Sequence, residues 1–204
     1  MKDPIKITIA WYSNSAEQYK ILRSDLIRDE ENRTYFLEHL SWKKILDIWC
    51  AHGRDVCEFF KNNKEVSGID LTPEFIEMAK KSCPKANIQL MDMRKLTFED
   101  KTFDGIRSCA SFLHVPKKEG KKTLQWFHRV LKKWWLLFIG VMEWTGEWFD
   151  QRSKYKNVER FFSYREKKEL EQLLEKNNFS IQKSYTSSLP GSDSIWLSIF
   201  AIAE

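Results

Sequence analysis

Between residues 43 and 142 the chain alternates short apolar runs with amphipathic stretches, and no other feature restricts its fold as tightly. Residues 43–48, 65–71, 87–91, 103–109 and 135–142 read as five strands. Between them, residues 54–63 carry Val56, Phe59 and Phe60 on one helical face. Residues 72–83 open with Thr72 as N-cap and Pro73 at the first helical position, with Glu74 in the first turn to suit the helix dipole. Residues 118–132 read as a further helix. Strands joined through helices form right-handed crossovers, and these build an open parallel sheet. Ligands in such sheets bind at the carboxyl ends of the strands. The residues that end each strand therefore carry the functional argument.

The flanks complete the pattern. Residues 13–40 read as two helices, with Ala16, Tyr19, Leu22 and Leu26, then Phe36, Leu37 and Leu40, at helical spacing. Residues 166–176 place Leu170, Leu173 and Leu174 inward on a helix, and residues 180–187 and 195–203 close the chain as two strands. Their link, Leu189-Pro-Gly-Ser-Asp193, is rich in turn formers, which predicts an antiparallel pair. At 204 residues this is one domain: a helical cap at 1–41, a core at 42–144, a loop at 145–164, and a terminal helix and hairpin at 165–204.

Several function classes are not expected. The longest apolar run, residues 134–139, is far too short to span a membrane. The first ten residues lack the apolar core and cleavage site of an export signal. The four cysteines form no CxxC pair and show no metal-ligand spacing, so reduced thiols in a cytoplasm are expected, with Cys50 and Cys109 as small core residues. The net charge of +5 is dispersed, and its densest patch, Lys117, Lys118, Lys121 and Lys122, reads as a solvated helix face rather than a nucleic-acid footprint. A monomer or weak dimer acting on a small molecule, with no metal, is the expectation.

The strand ends are acidic. Asp47-Ile-Trp-Cys-Ala-His-Gly-Arg-Asp55 follows the first strand, Asp70 ends the second 23 residues later, and Asp92-Met93 follows the third. Phe103-Asp104-Gly-Ile opens the fourth, and Arg129-Val-Leu-Lys-Lys-Trp-Trp-Leu-Leu leads into the fifth. In order, these resemble the phrases D-x-G-x-G-x-G, F-D-x-I and R-V-L-K-P-G-G-x-L of the class I S-adenosylmethionine-dependent methyltransferases. Tyr12 with Ala16-Glu-Gln-Tyr19 resembles the aromatic and A-E-x-Y that precede them. The resemblance covers nearly the whole chain. It implies an α/β, Rossmann-like, seven-stranded, mostly parallel sheet with an antiparallel C-terminal hairpin and helices on both faces. It also implies S-adenosylmethionine as cofactor, with contacts at Tyr19, Asp47, Trp49, Ala51, Gly53, Asp70, Leu71, Asp92, Met93 and Cys109. Asp70 would accept hydrogen bonds from both ribose hydroxyls, and Asp92 would take the adenine amino group. Read without the resemblance, a lone Asp after a strand caps a turn or helix, and Tyr19 packs a helix on the sheet edge. Asp104, at the start of an apolar strand, reads as structural.

The sulfonium makes its methyl group electrophilic, so the protein has mainly to align a nucleophile and exclude water. If a base assists, the candidates are His114, after the fourth strand, and Glu143, after the fifth. Read without the resemblance, His114 is a cofactor-wall or helix-lead residue with no proton chemistry. The stretch 149–164 reads as a substrate-side flap whose Lys154, Tyr155, Lys156 and Arg160 either meet an anionic acceptor or are solvated. A nicotinamide-dependent oxidoreductase would need G-x-G-x-x-G after the first strand, which is absent. A non-catalytic binding module is the other alternative, because Trp49 stands where the motif has its first glycine.

Trp49 is not isolated. The chain has nine tryptophans and seven glycines, an inversion of ordinary usage. Trp134-Trp135 replaces the G-G turn, and Trp144 and Trp148 fall in a segment resembling the glycine-rich V-K-E-G-x-G-E-G. Trp42 precedes the first strand, Trp11 and Trp126 are weaker cases, and Trp196 alone resembles a family tryptophan. Eight glycines restored would raise the total to fifteen. One codon accounts for the pattern: some bacterial lineages read UGA as glycine, and a common alternative table reads it as tryptophan. The expectation is a backbone that approaches the cofactor closely at 49 and is left-handed at 134–135.

Overall fold

A computed structural model describes residues 3–24, 29–40, 44–150, 159–188 and 193–204. The elements run α1 Pro4–Arg23, α2 Glu30–Glu38, β1 Lys44–Ile48, α3 Arg54–Lys61, β2 Glu65–Asp70, α4 Pro73–Ser82, β3 Asn87–Leu90, β4 Phe103–Cys109, α5 Lys117–Val130, β5 Leu131–Met142, β6 Glu147–Asp150, β7 Arg160–Ser163, α6 Lys167–Glu175, β8 Phe179–Ser188 and β9 Ile195–Ala203. Seven strands form one sheet in the order β3-β2-β1-β4-β5-β9-β8. β3 to β5 pair in parallel, and β9 runs antiparallel to both β5 and β8. This is the Rossmann-like architecture expected. The chain reverses its winding between β1 and β4, so the switch point lies at the carboxyl end of β1.

Apolar side chains fill both faces. One core joins Ile106, Leu137 and Ile139 to Leu124 and Phe127 of α5 and Leu170 and Leu174 of α6. The other joins Ile45, Val66 and Phe138 to Phe36 of α2, Val56 and Phe59 of α3, and Ala79 of α4. Phe59 and Phe127 are fully buried, each worth about 1.5–3 kcal/mol relative to exposure. Among the described residues no helix is long and apolar enough to cross a membrane.

Three expectations change. The first helix begins at Pro4, nine residues before the predicted start. Asp3 caps it, its Oδ1 accepting from Ile5 N at 3.0 Å with Pro4 at the first position. This helix buries Trp11, Tyr12 and Ala16 over the switch point, against Phe75 of α4. Second, α5 ends at Val130, and β5 begins at once. Leu131 faces Phe103, but Leu136 faces Gly105, so the intervening residues bulge out. At the bulge Trp134 is 64% exposed with φ +70°. Third, residues 145–164 are not loop throughout, because β6 and β7 pair as an antiparallel ribbon. Trp42, Lys154, Tyr155, Lys156 and the turn at 189–192 lie outside the described residues.

Candidate cofactor and acceptor site

The turn from β1 into α3 has a left-handed backbone at three alternate positions: Trp49 (φ +58°), Ala51 (φ +48°) and Gly53 (φ +86°). Only glycine adopts this freely. At Gly53 a Cβ would also come within 3.0 Å of Ala79 in α4. The turn is fastened to its neighbour by one carboxylate. Asp70, 4% exposed at the end of β2, accepts from Ala51 N at 3.0 Å with one oxygen and from Thr72 N at 2.8 Å with the other. Burial pushes the Asp70 carboxyl up to about 6 against the pull of these donors. Cys50 N adds a bond to Ile69 O at 2.9 Å.

Above this turn lies a cavity of about 310 Å³, walled by Tyr12 and Tyr19 of α1, the β1 turn, Cys109, His114, Arg160 and Phe162 of β7, and Trp196 of β9. The Trp49 indole stands in it. Its ring stacks on His114 with centroids 4.9 Å apart and meets Tyr12 edge-on at 5.9 Å, while its Nε1 is buried without a partner. His52, 6% exposed in the same turn, also has both ring nitrogens unpartnered. Burial, then Arg54 and Lys20, push the His52 imidazole down to about 4, so it is neutral.

A hydrogen-bonded chain crosses the opposite wall. His114 Nδ1 lies 2.7 Å from the Phe161 carbonyl, which can only accept, so Nδ1 carries the proton. Nε2 then accepts from Tyr12 OH at 3.0 Å, and that oxygen accepts from Arg160 Nη1 at 3.2 Å. Burial, and secondarily Arg160, push His114 down to about 3. Burial places the Tyr19 phenol well above its ordinary range. Burial and the charge of Asp29 do the same for the Cys109 thiol, so Cys109 is a wall and no nucleophile.

Beneath the cavity runs a buried ion network. Arg107, 1% exposed, bonds Asp55 at 2.7 Å and Asp29, and approaches Asp47 to 3.7 Å. Arg54 and Arg33 reach Asp55 at 2.9 and 3.4 Å. Burial opposes ionisation of Asp55, but Arg107 and Arg54 hold its carboxyl well below the usual range. Burial pushes Asp47 up to about 7 against the pull of Arg107, which stands 3.7 Å away.

Of the expected site residues, the structure gathers Tyr19, Asp47, Trp49, Ala51, Cys109 and His114 around one cavity. Gly53 caps α3 behind it, and Asp70 with Leu71 lies under the turn. Asp92 and Met93 follow β3 off the cavity wall. The Asp92 carboxylate is held by Arg94 (2.6 Å to Nη2), which also reaches Glu119 at 2.8 Å, and Met93 is buried in the core. Glu143 stands apart: its Oε1 accepts from Lys167 N at 3.0 Å and caps α6. Asp104 is structural, bonding Lys44 N at 2.9 Å and Lys132 Nζ at 2.7 Å. Sequence reasoning gave no role to His52, Arg107, Asp29 or Asp55. The available signal for Arg107 was a cation inside an otherwise apolar strand. Among the described residues no three His, Cys, Asp or Glu side chains group to hold a metal.

S-adenosylmethionine fits the backbone of this site. The alternate left-handed turns let the chain pass close beneath a ligand, and the orphaned His52 nitrogens leave donors and acceptors for one. The Trp49 side chain is the misfit, since it fills space the turn otherwise opens.

Residues 45–134 match the family described as methyltransferase domain. The ubiquinone biosynthesis O-methyltransferase of Actinobacillus pleuropneumoniae serotype 7 (strain AP76) is 28% identical over 143 residues, 59% of this chain and 58% of that protein. The chain thus spans less than two thirds of that relative's length. The crystal structure of Burkholderia thailandensis 1,6-didemethyltoxoflavin-N1-methyltransferase, with bound 1,6-didemethyltoxoflavin and S-adenosylhomocysteine, superposes with a TM-score of 0.81 at 18% identity, over 100% of this chain and 92% of that one. A Methanosarcina mazei SAM-dependent methyltransferase superposes with a TM-score of 0.75 at 22% identity, over 83% of this chain and 96% of that one. The core of the chain thus matches a methyltransferase domain, and its sheet is the one found in solved methyltransferases.

Proposed function

We propose that the protein transfers a methyl group from S-adenosylmethionine to a small-molecule acceptor. The observation that carries this reading is the β1 turn, with left-handed residues at 49, 51 and 53, held on the Asp70 carboxylate beside an aromatic cavity. The cofactor supplies an electrophilic methyl group, and the chain's own residues hold and orient the reactants. Asp70, held in place by the Ala51 and Thr72 amides, is the acceptor for the ribose hydroxyls. The turn amides and His52 bound the amino-acid end. At a pKa of about 3, His114 is too weak a base to deprotonate an acceptor at neutral pH. Its task is to fix the Tyr12 phenol, which faces the cavity with its proton already committed to Nε2. The aromatic walls exclude water. A small acceptor accords with the modest net charge of +5.

The stacked Trp49 indole favours one other reading, a binding protein without catalysis. Calorimetry separates the two, with S-adenosylhomocysteine and NAD titrated into this protein and into its Trp49→Gly variant. Micromolar S-adenosylhomocysteine binding by the variant supports methyl transfer. Binding of NAD alone, or of neither by either protein, overturns it.

A further inference from the structure

Arg160 lines the cavity wall, and the proposed methyl transfer does not use its charge. It sits on β7, half-buried, with its guanidinium between the rings of Trp11 and Phe162, at 4.2 and 4.5 Å from their centroids, and 5.6 Å from that of Tyr12. Its Nη1 donates to Tyr12 OH, its Nε is buried without a partner, and among the described residues no carboxylate lies within ion-pair distance of it. Of the other cavity arginines, Arg54 and Arg107 are paired to Asp55 and its neighbours, and Arg23 is exposed at the end of α1. The groups facing Arg160 offer no negative charge: His114 is neutral, Tyr12 is a phenol, and the rest are rings. A buried N–H without an acceptor is destabilising. The edge of a guanidinium formed by Nε and Nη2 presents two parallel donors, which match the two oxygens of a planar carboxylate.

We infer that Arg160 is the specificity-determining residue of the acceptor site and that the acceptor carries a carboxylate. This rests on the methyltransferase reading, with the cofactor over the β1 turn and the acceptor against β7. The rings of Tyr12, His114 and Phe162 then pack the body of the acceptor while the Arg160 fork holds its anionic end.

The test uses benzoate as probe and benzamide as its neutral counterpart. Both are titrated calorimetrically into the Trp49→Gly protein, alone and with Arg160→Met, which keeps the aliphatic stem, or Arg160→Lys, which keeps the charge but loses the fork. S-adenosylhomocysteine is titrated into all three, and near-ultraviolet circular dichroism confirms that each is folded. The expected result is millimolar benzoate binding, weaker by about tenfold or more for benzamide and for Arg160→Met. Arg160→Lys should fall between, with S-adenosylhomocysteine affinity unchanged across the series. Benzoate binding that is absent, or equal in Arg160→Met, overturns the inference while S-adenosylhomocysteine binding leaves the methyltransferase reading standing. A loss of S-adenosylhomocysteine affinity in Arg160→Met also overturns it, because the arginine would then serve the cofactor's carboxylate. If S-adenosylhomocysteine binds none of the proteins, the methyltransferase reading itself has failed.

Discussion

Replacing Trp49 by glycine removes the one side chain that the β1 turn does not accommodate. Two penalties disappear with it. A bulky residue at φ +58° carries about 1–2 kcal/mol of left-handed strain, and a buried indole N–H without a partner about 1–3 kcal/mol. Against these stands the loss of a large aromatic side chain, about 3–5 kcal/mol in a closed core. The two sides nearly cancel, so stability should change by about 3 kcal/mol or less in either direction. Binding should change more. A ligand entering the wild-type cavity must displace the indole from its stack on His114 and its edge contact with Tyr12, each worth about 0.5–1.5 kcal/mol. Glycine removes that cost, so S-adenosylhomocysteine should bind about tenfold to a hundredfold more tightly, at about 1.4 kcal/mol per factor of ten. Calorimetry gives the affinity and urea melts give the stability. Trp49→Ala is the control, since it opens the cavity but keeps the backbone strain; it should gain affinity and lose stability. An unchanged affinity in Trp49→Gly would refute the argument that the indole occupies cofactor space.

Three further outcomes are expected. Asp70→Ala should weaken S-adenosylhomocysteine strongly and also lower stability in urea melts, because the Ala51 and Thr72 amides lose their acceptor; equal affinity in both proteins would rule out ribose binding at Asp70. Because His114 is held near 3 while an unfolded histidine titrates near its ordinary 6.5, the unfolded chain binds the extra proton first. Stability should therefore fall as pH drops from about 6.5 towards 3, and urea melts of His114→Gln should show a shallower fall over that window. Sequencing the coding DNA should show UGA at positions 49, 134, 135, 144 and 148 and UGG at 196, whereas UGG throughout would mean that the tryptophans are genuine.

The parallel core was legible because its signals are local. Apolar runs of strand length, Thr72-Pro73, and acids at strand ends need no knowledge of distant contacts. The terminal antiparallel pair followed from its turn formers. What the sequence concealed depended on the third dimension. The start of α1 rests on Asp3-Pro4, a short signal ahead of a helix with little amphipathic contrast. β6 and β7 are four residues each, too short for period-two patterning to stand out. Glu143 looked like a candidate base from its place after β5, but only the structure shows it capping α6. The tryptophan expectation divides in the same way. Trp49 and Trp134 have the left-handed backbone that a glycine position would show, whereas Trp135, Trp144 and Trp148 do not.

Arg107 ties together parts of the chain that no local rule connects. One guanidinium meets Asp29 ahead of α2, Asp47 on β1 and Asp55 on α3. Substitutions among these four residues cannot act independently. Loss of Arg107 removes the nearest counter-charge of Asp29 and Asp47 and leaves Asp55 to Arg54 and Arg33, and loss of any one acid alters the balance on the rest. In an evolving lineage such a quartet changes only through compensated pairs: an acid neutralised first makes the arginine's replacement tolerable, and the reverse order does not. The floor of the cavity therefore answers to substitution as one unit, and so does the hydrogen-bonded set of Tyr12, His114 and Arg160 in its wall.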